Sequence, residues 1–151
     1  GGRLLLDVGP KEDGTLDERQ EKVLHDLGSW IHDHEEAVYG TGKGLSYHQF
    51  LGGSTISEDQ ETLYLIVYDN PLEAVCVKGL KTPVKRVTVL HSLEELDFTY
   101  TGALPWSGIP GTLWIWAQNM QLHPFATVLK VELEGKITYN LGHGEAVTNN
   151  D

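Results

Sequence analysis

Short strand-like segments recur along the chain from about Leu45, and no helical period returns after that point. The clearest is TVLKVELEG at 127–135, in which Leu129, Val131 and Leu133 share one face and polar residues occupy the other. A strand with this alternation is half-buried, as in an antiparallel sheet. The other segments are rich in branched and aromatic residues: TLYLIVY at 62–68, AVCVKG at 74–79, VKRVTVL at 84–90, LDFTYTG at 96–102, TLWIWAQ at 112–118 and ITYN at 137–140. Seven or eight such strands joined by turns predict a mainly β fold, an antiparallel two-sheet β-sandwich of Greek-key or jelly-roll type.

The first forty residues follow a different pattern. An apolar run, LLLDV at 4–8, is followed by a Gly-Pro turn and then by apolar residues at helical spacing: Val23, Leu24, Leu27, Trp30 and Ile31. This spacing predicts an amphipathic helix over about 16–34, and Thr15 and Glu18 have the spacing of a capping box at its start. The segment YGTGKG at 39–44 has three glycines in six positions and predicts a connector to the strand-rich part.

Charge and length exclude several classes of function. The chain has 151 residues, with 11 Lys and Arg against 22 Asp and Glu, so its formal charge is −11. No basic stripe is available to neutralise phosphates, which argues against nucleic acid and anionic membranes as partners. The length is too small for a complete (β/α)8 barrel of about 250 residues. A single cysteine, Cys76, excludes an internal disulfide, and its apolar strand predicts a core thiol.

No motif of catalysis or cofactor binding stands out in the sequence. It lacks a G-x-S-x-G segment, a phosphate-binding loop and a dinucleotide fingerprint. The acids lie mainly in turns, where they are expected to be solvated. His25, His32 and His34 do not have the spacing of a helical zinc site, so they are expected at the surface or in packing. We therefore assign no catalytic, cofactor or metal-binding residue to this chain.

Three tryptophans are the candidate contact residues. Trp114 and Trp116 lie two apart in a predicted strand and share one face, while Leu113 and Ile115 share the other. Both faces are apolar, which predicts a strand covered on both sides. One interpretation is a sugar-stacking platform, with Trp106 of the GALPWSGIPG loop as a third member. The alternative is that this face meets the helix or another domain.

Several segments together resemble the α-L-fucosidases of glycoside hydrolase family 29. LLLDVGP at 4–10, DGT at 13–15, LGSW at 27–30 and AVYGT at 37–41 are similar, in this order, to the stretches that lead out of that family's (β/α)8-like catalytic barrel. KRVTVLHS at 85–92 and ATVLKVELEG at 126–135 resemble stretches of its C-terminal β-sandwich. Two positions depart from the family pattern. Asp7 replaces the usual Asn, which is expected to disturb a hydrogen bond at the barrel end, and His91 replaces the usual Gly, which is expected to alter a turn.

The resemblance implies two unequal domains. Residues 1–41 would be the last strand and helix of the catalytic barrel, and 42–151 a C-terminal β-sandwich. The partner of this chain would then be the catalytic barrel, and fucosylated glycan would be reached through it. Because segment 4–8 lacks its barrel neighbours here, we expect it to be frayed or to pair with a sandwich edge or a second copy of the chain.

The resemblance also implies a reaction for the whole enzyme. Family members are retaining exo-fucosidases that remove terminal α-L-fucose by double displacement, without a metal or cofactor. Their nucleophile and acid/base lie on earlier barrel strands, so this chain alone is expected to be inactive. Members of the family are secreted, periplasmic or lysosomal, and this chain carries no signal that selects among these compartments.

Overall fold

Two antiparallel sheets form the body of the molecule in a computed structural model that describes residues 2, 4–103, 106 and 111–140. The larger sheet has the order β1 (Thr41–Lys43), β2 (Gly53–Ser57), β3 (Thr62–Val67), β8 (Thr127–Leu133) and β5 (Val84–Val89). The smaller has the order β4 (Ala74–Lys78), β7 (Thr112–Trp116) and β6 (Phe98–Thr101). The predicted two-sheet β-sandwich is confirmed.

The core lies between the inner faces of the two sheets. In β8, Leu129, Val131 and Leu133 are buried, and Lys130 and Glu132 are only partly covered, as the alternation predicts. Leu129 lies opposite Leu65 of β3 and Val89 of β5, so the central strand is packed against an apolar partner on each side. The smaller sheet contributes the fully buried Val77, Leu113 and Ile115. Each such side chain contributes about 1.5–3 kcal/mol by leaving water, and these contacts hold the sheets together.

Two helices precede the sandwich: α1 (Glu18–Asp33) and the single turn α2 (Glu35–Val38). The predicted helix is confirmed, but its predicted capping box is wrong. The Thr15 N–H and hydroxyl donate to Asp13 Oδ1 at 3.0 and 2.7 Å, which ties Thr15 into the preceding turn. The cap is Asp17, whose Oδ1 accepts the Arg19 N–H at 3.0 Å. Neither helix of the described residues combines the length and the apolar character needed to cross a membrane.

Three segments near the strands differ from the sequence predictions. The predicted connector at 39–44 contains β1, which pairs with Thr55–Ser57 of β2. Both strands are poor in large apolar residues, and Gly44 is required because a side chain there would clash with Ser54. The predicted strand at 137–140 makes a single bridge, between Tyr139 and Leu80. Residues 4–8, which the resemblance places in the last barrel strand, form no strand here.

Candidate functional site

The end of α1 and all of α2 are fixed to the outer face of the larger sheet. The Trp30 indole N–H donates to the Ala126 carbonyl at 2.8 Å, and the Thr55 hydroxyl donates to the Ala37 carbonyl at 2.7 Å. Ala37 packs in a small buried cluster with residues of the sheet face: Tyr64, Leu90 and Val128. The two hydrogen bonds join segments that are distant along the chain, so they position the helix relative to the sandwich.

A charged group completes this attachment. Glu36 of α2 accepts from Lys130 Nζ at 2.8 and 3.0 Å and from the Tyr64 hydroxyl at 3.2 Å. Tyr64 is buried in the helix–sheet interface, and this burial, reinforced by the Glu36 charge, raises the pKa of its phenol well above the ordinary value. Because the phenol stays protonated, it remains a donor to Glu36 at any physiological pH.

The remainder of the predicted apolar stripe of α1 is only partly covered. No residue of α1 is fully buried, and Val23 is 59% exposed. Beside it lies a cleft of about 430 Å³, lined mainly by apolar side chains that include Leu27, Trp30, Ile66 and Phe125. The preceding segment adds Leu5, which is 95% exposed. The N-terminal half of this unit therefore exposes several large apolar side chains, and Leu6, Val8 and Val23 line one cleft. A cluster of this kind is unusual unless it marks an interaction site.

The two tryptophans of β7 lie on the outer face of the smaller sheet. Leu113 and Ile115 point into the core, whereas Trp114 is half-buried and Trp116 is 41% exposed. Trp116 lies open on this face, so full coverage of β7 on both sides is not seen among the described residues. Trp114 and Trp116 line a cleft of about 640 Å³ whose wall is formed by 71–74. Thr101 of β6 also lines it, and its hydroxyl accepts the Trp114 indole N–H at 2.8 Å.

Trp106 and Cys76 have positions that the sequence does not reveal. Trp106 is 84% exposed and is not among the residues that line the cleft of Trp114 and Trp116. Cys76 was expected in the core, but it lies opposite Trp114 on the outer face of the smaller sheet, half-buried. Burial raises the pKa of its thiol, which keeps it protonated and poorly nucleophilic. No three His, Cys, Asp or Glu side chains of the described residues are arranged to hold a metal ion.

Sequence reasoning did not find several contact residues. Glu36 and Lys130 are 94 positions apart in the sequence, and no local pattern predicts that they form a pair. The cleft wall at 71–74 follows the dipeptide Asn70-Pro71, which indicates a turn but not its position beside β7. Such contacts depend on which strands become neighbours, and the sequence of one chain does not contain that information in a local form.

Comparison with known proteins identifies the relatives of this fold. A family model described as alpha-L-fucosidase matches residues 1–36. The α-L-fucosidase of Branchiostoma floridae is 25% identical over 115 residues, which covers 74% of this chain and 24% of that protein. The human plasma α-L-fucosidase is 44% identical over 41 residues, 27% of this chain and 9% of that protein. The solved structure of α-L-fucosidase isoenzyme 1 from Paenibacillus thiaminolyticus matches 86% of this chain with a TM-score of 0.70 at 26% identity.

The chain is similar to α-L-fucosidases of glycoside hydrolase family 29 in sequence and in fold. It spans about a quarter of the length of the Branchiostoma relative and 30% of the Paenibacillus structure. Both parts of the chain contribute to the match, because the family model covers the N-terminal segment with all of α1, and the structural match, over 86% of the chain, extends over the sandwich. The predicted family resemblance is thereby confirmed. The division of the chain at residue 41 and the roles of the tryptophans stay predictions.

Proposed function

We propose that this chain is the C-terminal part of a retaining exo-α-L-fucosidase. In this proposal residues 1–41 complete the catalytic barrel, and the sandwich at 42–151 is an accessory domain that supports it. The catalytic acids would lie in the remainder of the enzyme, and the chain alone would not hydrolyse fucosides. The parent enzyme would remove terminal fucose from glycans by double displacement.

One observation carries this proposal. An apolar surface at 4–6 and at Val23 is exposed, while the other end of α1 is fixed to the sandwich by Trp30 and, through the following turn α2, by Glu36. A helix with one covered and one uncovered end fits a unit that joins two bodies. These relatives are about three times as long as this chain, so they contain a further body of the required size. Burial of Leu5 and Val23 against a barrel would contribute about 1.5–3 kcal/mol each.

A chimera of the Paenibacillus enzyme tests the proposal. The part of that enzyme that matches this chain is replaced by residues 1–151, and hydrolysis of an aryl α-L-fucoside is measured. We expect the chimera to be active and the isolated chain to be inactive. Leu5→Asp and Val23→Asp should each reduce the yield of active chimera by about tenfold or more, because a carboxylate would be placed against the barrel.

Leu51→Asp is the matched control, because Leu51 is similarly exposed but lies in the loop before β2. It should leave the yield within about twofold, as surface substitutions usually do. Turnover by the isolated chain above the blank, or equal yields from the Val23 and Leu51 variants, would contradict the proposed role.

A second candidate function is carbohydrate binding at the cleft of Trp114 and Trp116. The observation that favours it is the combination of an accessible indole face on Trp116 with polar groups at its margin, Glu73 and Thr101. Sugars commonly stack on such aromatic faces and accept or donate hydrogen bonds at the rim. The site would recognise a fucosylated oligosaccharide at a distance from the catalytic centre.

Fluorescence titration of the chain with a fucosylated oligosaccharide tests this second candidate. We expect a saturable change of tryptophan emission that Trp116→Ala weakens by about tenfold or more, since stacking on one aromatic ring contributes about 1–2 kcal/mol. Tyr47→Ala, which removes an exposed ring elsewhere, is the control. Trp106→Ala shows whether the loop contributes, as the sequence predicts. An unchanged emission spectrum at millimolar sugar would exclude the candidate.

A further inference from the structure

Three imidazole rings meet where the helices join the sandwich. His34 lies between α1 and α2, His91 follows β5, and His123 lies in the loop before β8. The His34 ring centroid lies 5.2 Å from that of His123 and 5.8 Å from that of His91, and the last two are 5.4 Å apart. Each pair packs edge to face, and the Trp30 ring lies 4.7 Å from His34 on its other side. The cluster therefore contains one ring from the helices and two from sandwich loops.

The hydrogen bonds identify the nitrogens that are open to protonation. His34 is fully buried, and its Nδ1 lies 2.7 Å from the Trp30 carbonyl oxygen. A carbonyl can only accept, so Nδ1 carries the proton and Nε2 has a free lone pair. The buried Nε2 of His34 and the buried Nδ1 of His91 have no hydrogen-bond partner among the described residues. Protonation at either nitrogen would place a charge in the cluster without a carboxylate to receive it.

The charged groups around the cluster do not compensate such a charge. From α1, Asp33 lies 3.7 Å from His123 Nε2, but its side chain is partly exposed to solvent. From the loop after β5, Glu94 faces His91, and its Oε2 already accepts the Gln121 N–H at 3.0 Å. Burial, together with repulsion from the neighbouring imidazoles, lowers the pKa of His34 and of His91 below the ordinary value of 6.5. The Trp30 carbonyl and Asp33 oppose the shift of the His34 pKa, and Asp33 and Glu94 oppose that of the His91 pKa. Burial is the largest cause for both groups.

We propose that the cluster of His34, His91 and His123 is a pH-sensitive latch that holds the junction of α1 and α2 on the sandwich while His34 and His91 are uncharged and loosens it when either of these two is protonated. The sign follows from linkage. A histidine with a lowered pKa in the closed state binds fewer protons there than in the open state, so the latch is closed above about pH 6.5 and weakens as the pH falls below that value. The equilibrium for opening should rise by up to about tenfold per pH unit for each proton taken up.

The position of the latch makes a local effect observable. Its opening would expose the Trp30 indole N–H, which is bonded to Ala126, and the last backbone amides of α1, while the sandwich core remains closed. This distinguishes the latch from a general loss of stability in acid. A latch of this kind would change how firmly the α1 unit is held to the sandwich between neutral and acidic compartments, whichever body the exposed end of α1 contacts.

Hydrogen exchange of the full chain tests the proposal. Protection factors, corrected for intrinsic exchange, are measured at pH 7.5 and 5.5 for the Trp30 indole, the amides near Ile31 and the core amides of β8. We expect the first two to lose about tenfold or more of their protection at pH 5.5, and the β8 amides to lose less. His91→Phe keeps an apolar ring but removes a protonation site, so it should reduce this loss. His25→Phe, on the exposed face of α1, should not alter it.

Direct titration of the histidines by NMR keeps the test decisive if the His91 variant does not fold. His34 and His91 should titrate below pH 6.5. As they do so, their proton chemical shifts should lose the ring-current contribution of the edge-to-face neighbours. Titration of both at or above 6.5, or protection at Trp30 that does not depend on pH, would overturn the latch. If added zinc raised the protection at pH 7.5 and a chelator reversed this effect, the cluster would be assigned to metal binding. That result would also overturn the latch.

Discussion

The hydrogen bond from Trp30 to Ala126 offers the sharpest test of how the helix is attached. Trp30→Phe removes the indole N–H and leaves the Ala126 carbonyl, which lies in a buried residue, without its donor. An unsatisfied buried acceptor costs about 1–3 kcal/mol. The loss of ring area against the sheet costs about a further 1 kcal/mol at roughly 25 cal/mol per Å². We therefore expect the free energy of unfolding to fall by about 2–4 kcal/mol, which corresponds to about 4–16 °C in Tm.

Trp116→Phe is the matched control for this experiment. It makes the same change of side chain at a position that is 41% exposed and whose indole lies on the open face of the smaller sheet. Its cost should be below about 0.5 kcal/mol. Both variants are compared by urea denaturation followed by far-UV circular dichroism, with the slope m checked for constancy. Equal unfolding free energies for the two variants would refute the assignment of Trp30 as an anchor, and a changed m would indicate that the helix separates independently of the sandwich.

Two other substitutions test individual contacts. Glu36→Gln removes the charge that binds Lys130 in a partly exposed pair. It should lower the free energy of unfolding, measured by urea denaturation, by about 0.5–1 kcal/mol at low salt and by less at 1 M NaCl, and a salt-independent cost would contradict the ionic role. The control is Asp26→Asn at the exposed pair with Lys22, which should cost less than about 0.5 kcal/mol. Gly111 and Gly102 have φ of +76° and +78°, but only at Gly111 would a Cβ meet backbone, 2.7 Å from the Thr101 oxygen. Gly111→Ala should therefore lower Tm by several degrees more than Gly102→Ala. Both substitutions place a side chain at a positive φ, but only Gly111→Ala adds about 1–3 kcal/mol of steric overlap. Equal shifts in Tm would disprove the close approach at Gly111.

Local patterns were sufficient for the elements whose side chains have a clear period. The alternation around Leu129 predicts which face of β8 is buried, and the helical spacing of Val23 to Ile31 predicts α1. The helix start was harder to place, because Asp13, Thr15 and Asp17 are all good capping residues, and their competition is decided by the turn at Gly14. The sequence does not predict strands β1 and β2, because glycine and small polar residues carry no period. Pairing stabilises them: β2 pairs with β3, and β1 pairs with β2.

The candidate sites depend on contacts that no local pattern encodes. The acidic partner of Lys130 is 94 positions earlier in the chain, and the three histidines of the latch come from three separate segments. In the sequence, His91 is only a departure from the family's usual glycine. Its packing against His34 depends on the attachment of the helices to the sheet beside the end of β5, which no local pattern predicts. The tryptophans of β7 were placed correctly on one face, but whether that face is covered depends on a neighbour outside the described residues.

The position of β8 in the larger sheet has a consequence for synthesis. β8 lies between β3 and β5, and these two strands have no pairing with each other. A growing chain therefore cannot complete this sheet until Leu133 has emerged from the ribosome, 66 residues after the end of β3 at Val67. At about 5–20 residues per second this delay is about 3–13 seconds. Before β8 is available, β3 and β5 each have an unpaired edge and apolar side chains that are buried in the folded protein. The nascent chain is therefore a candidate for chaperone protection until β8 inserts between them.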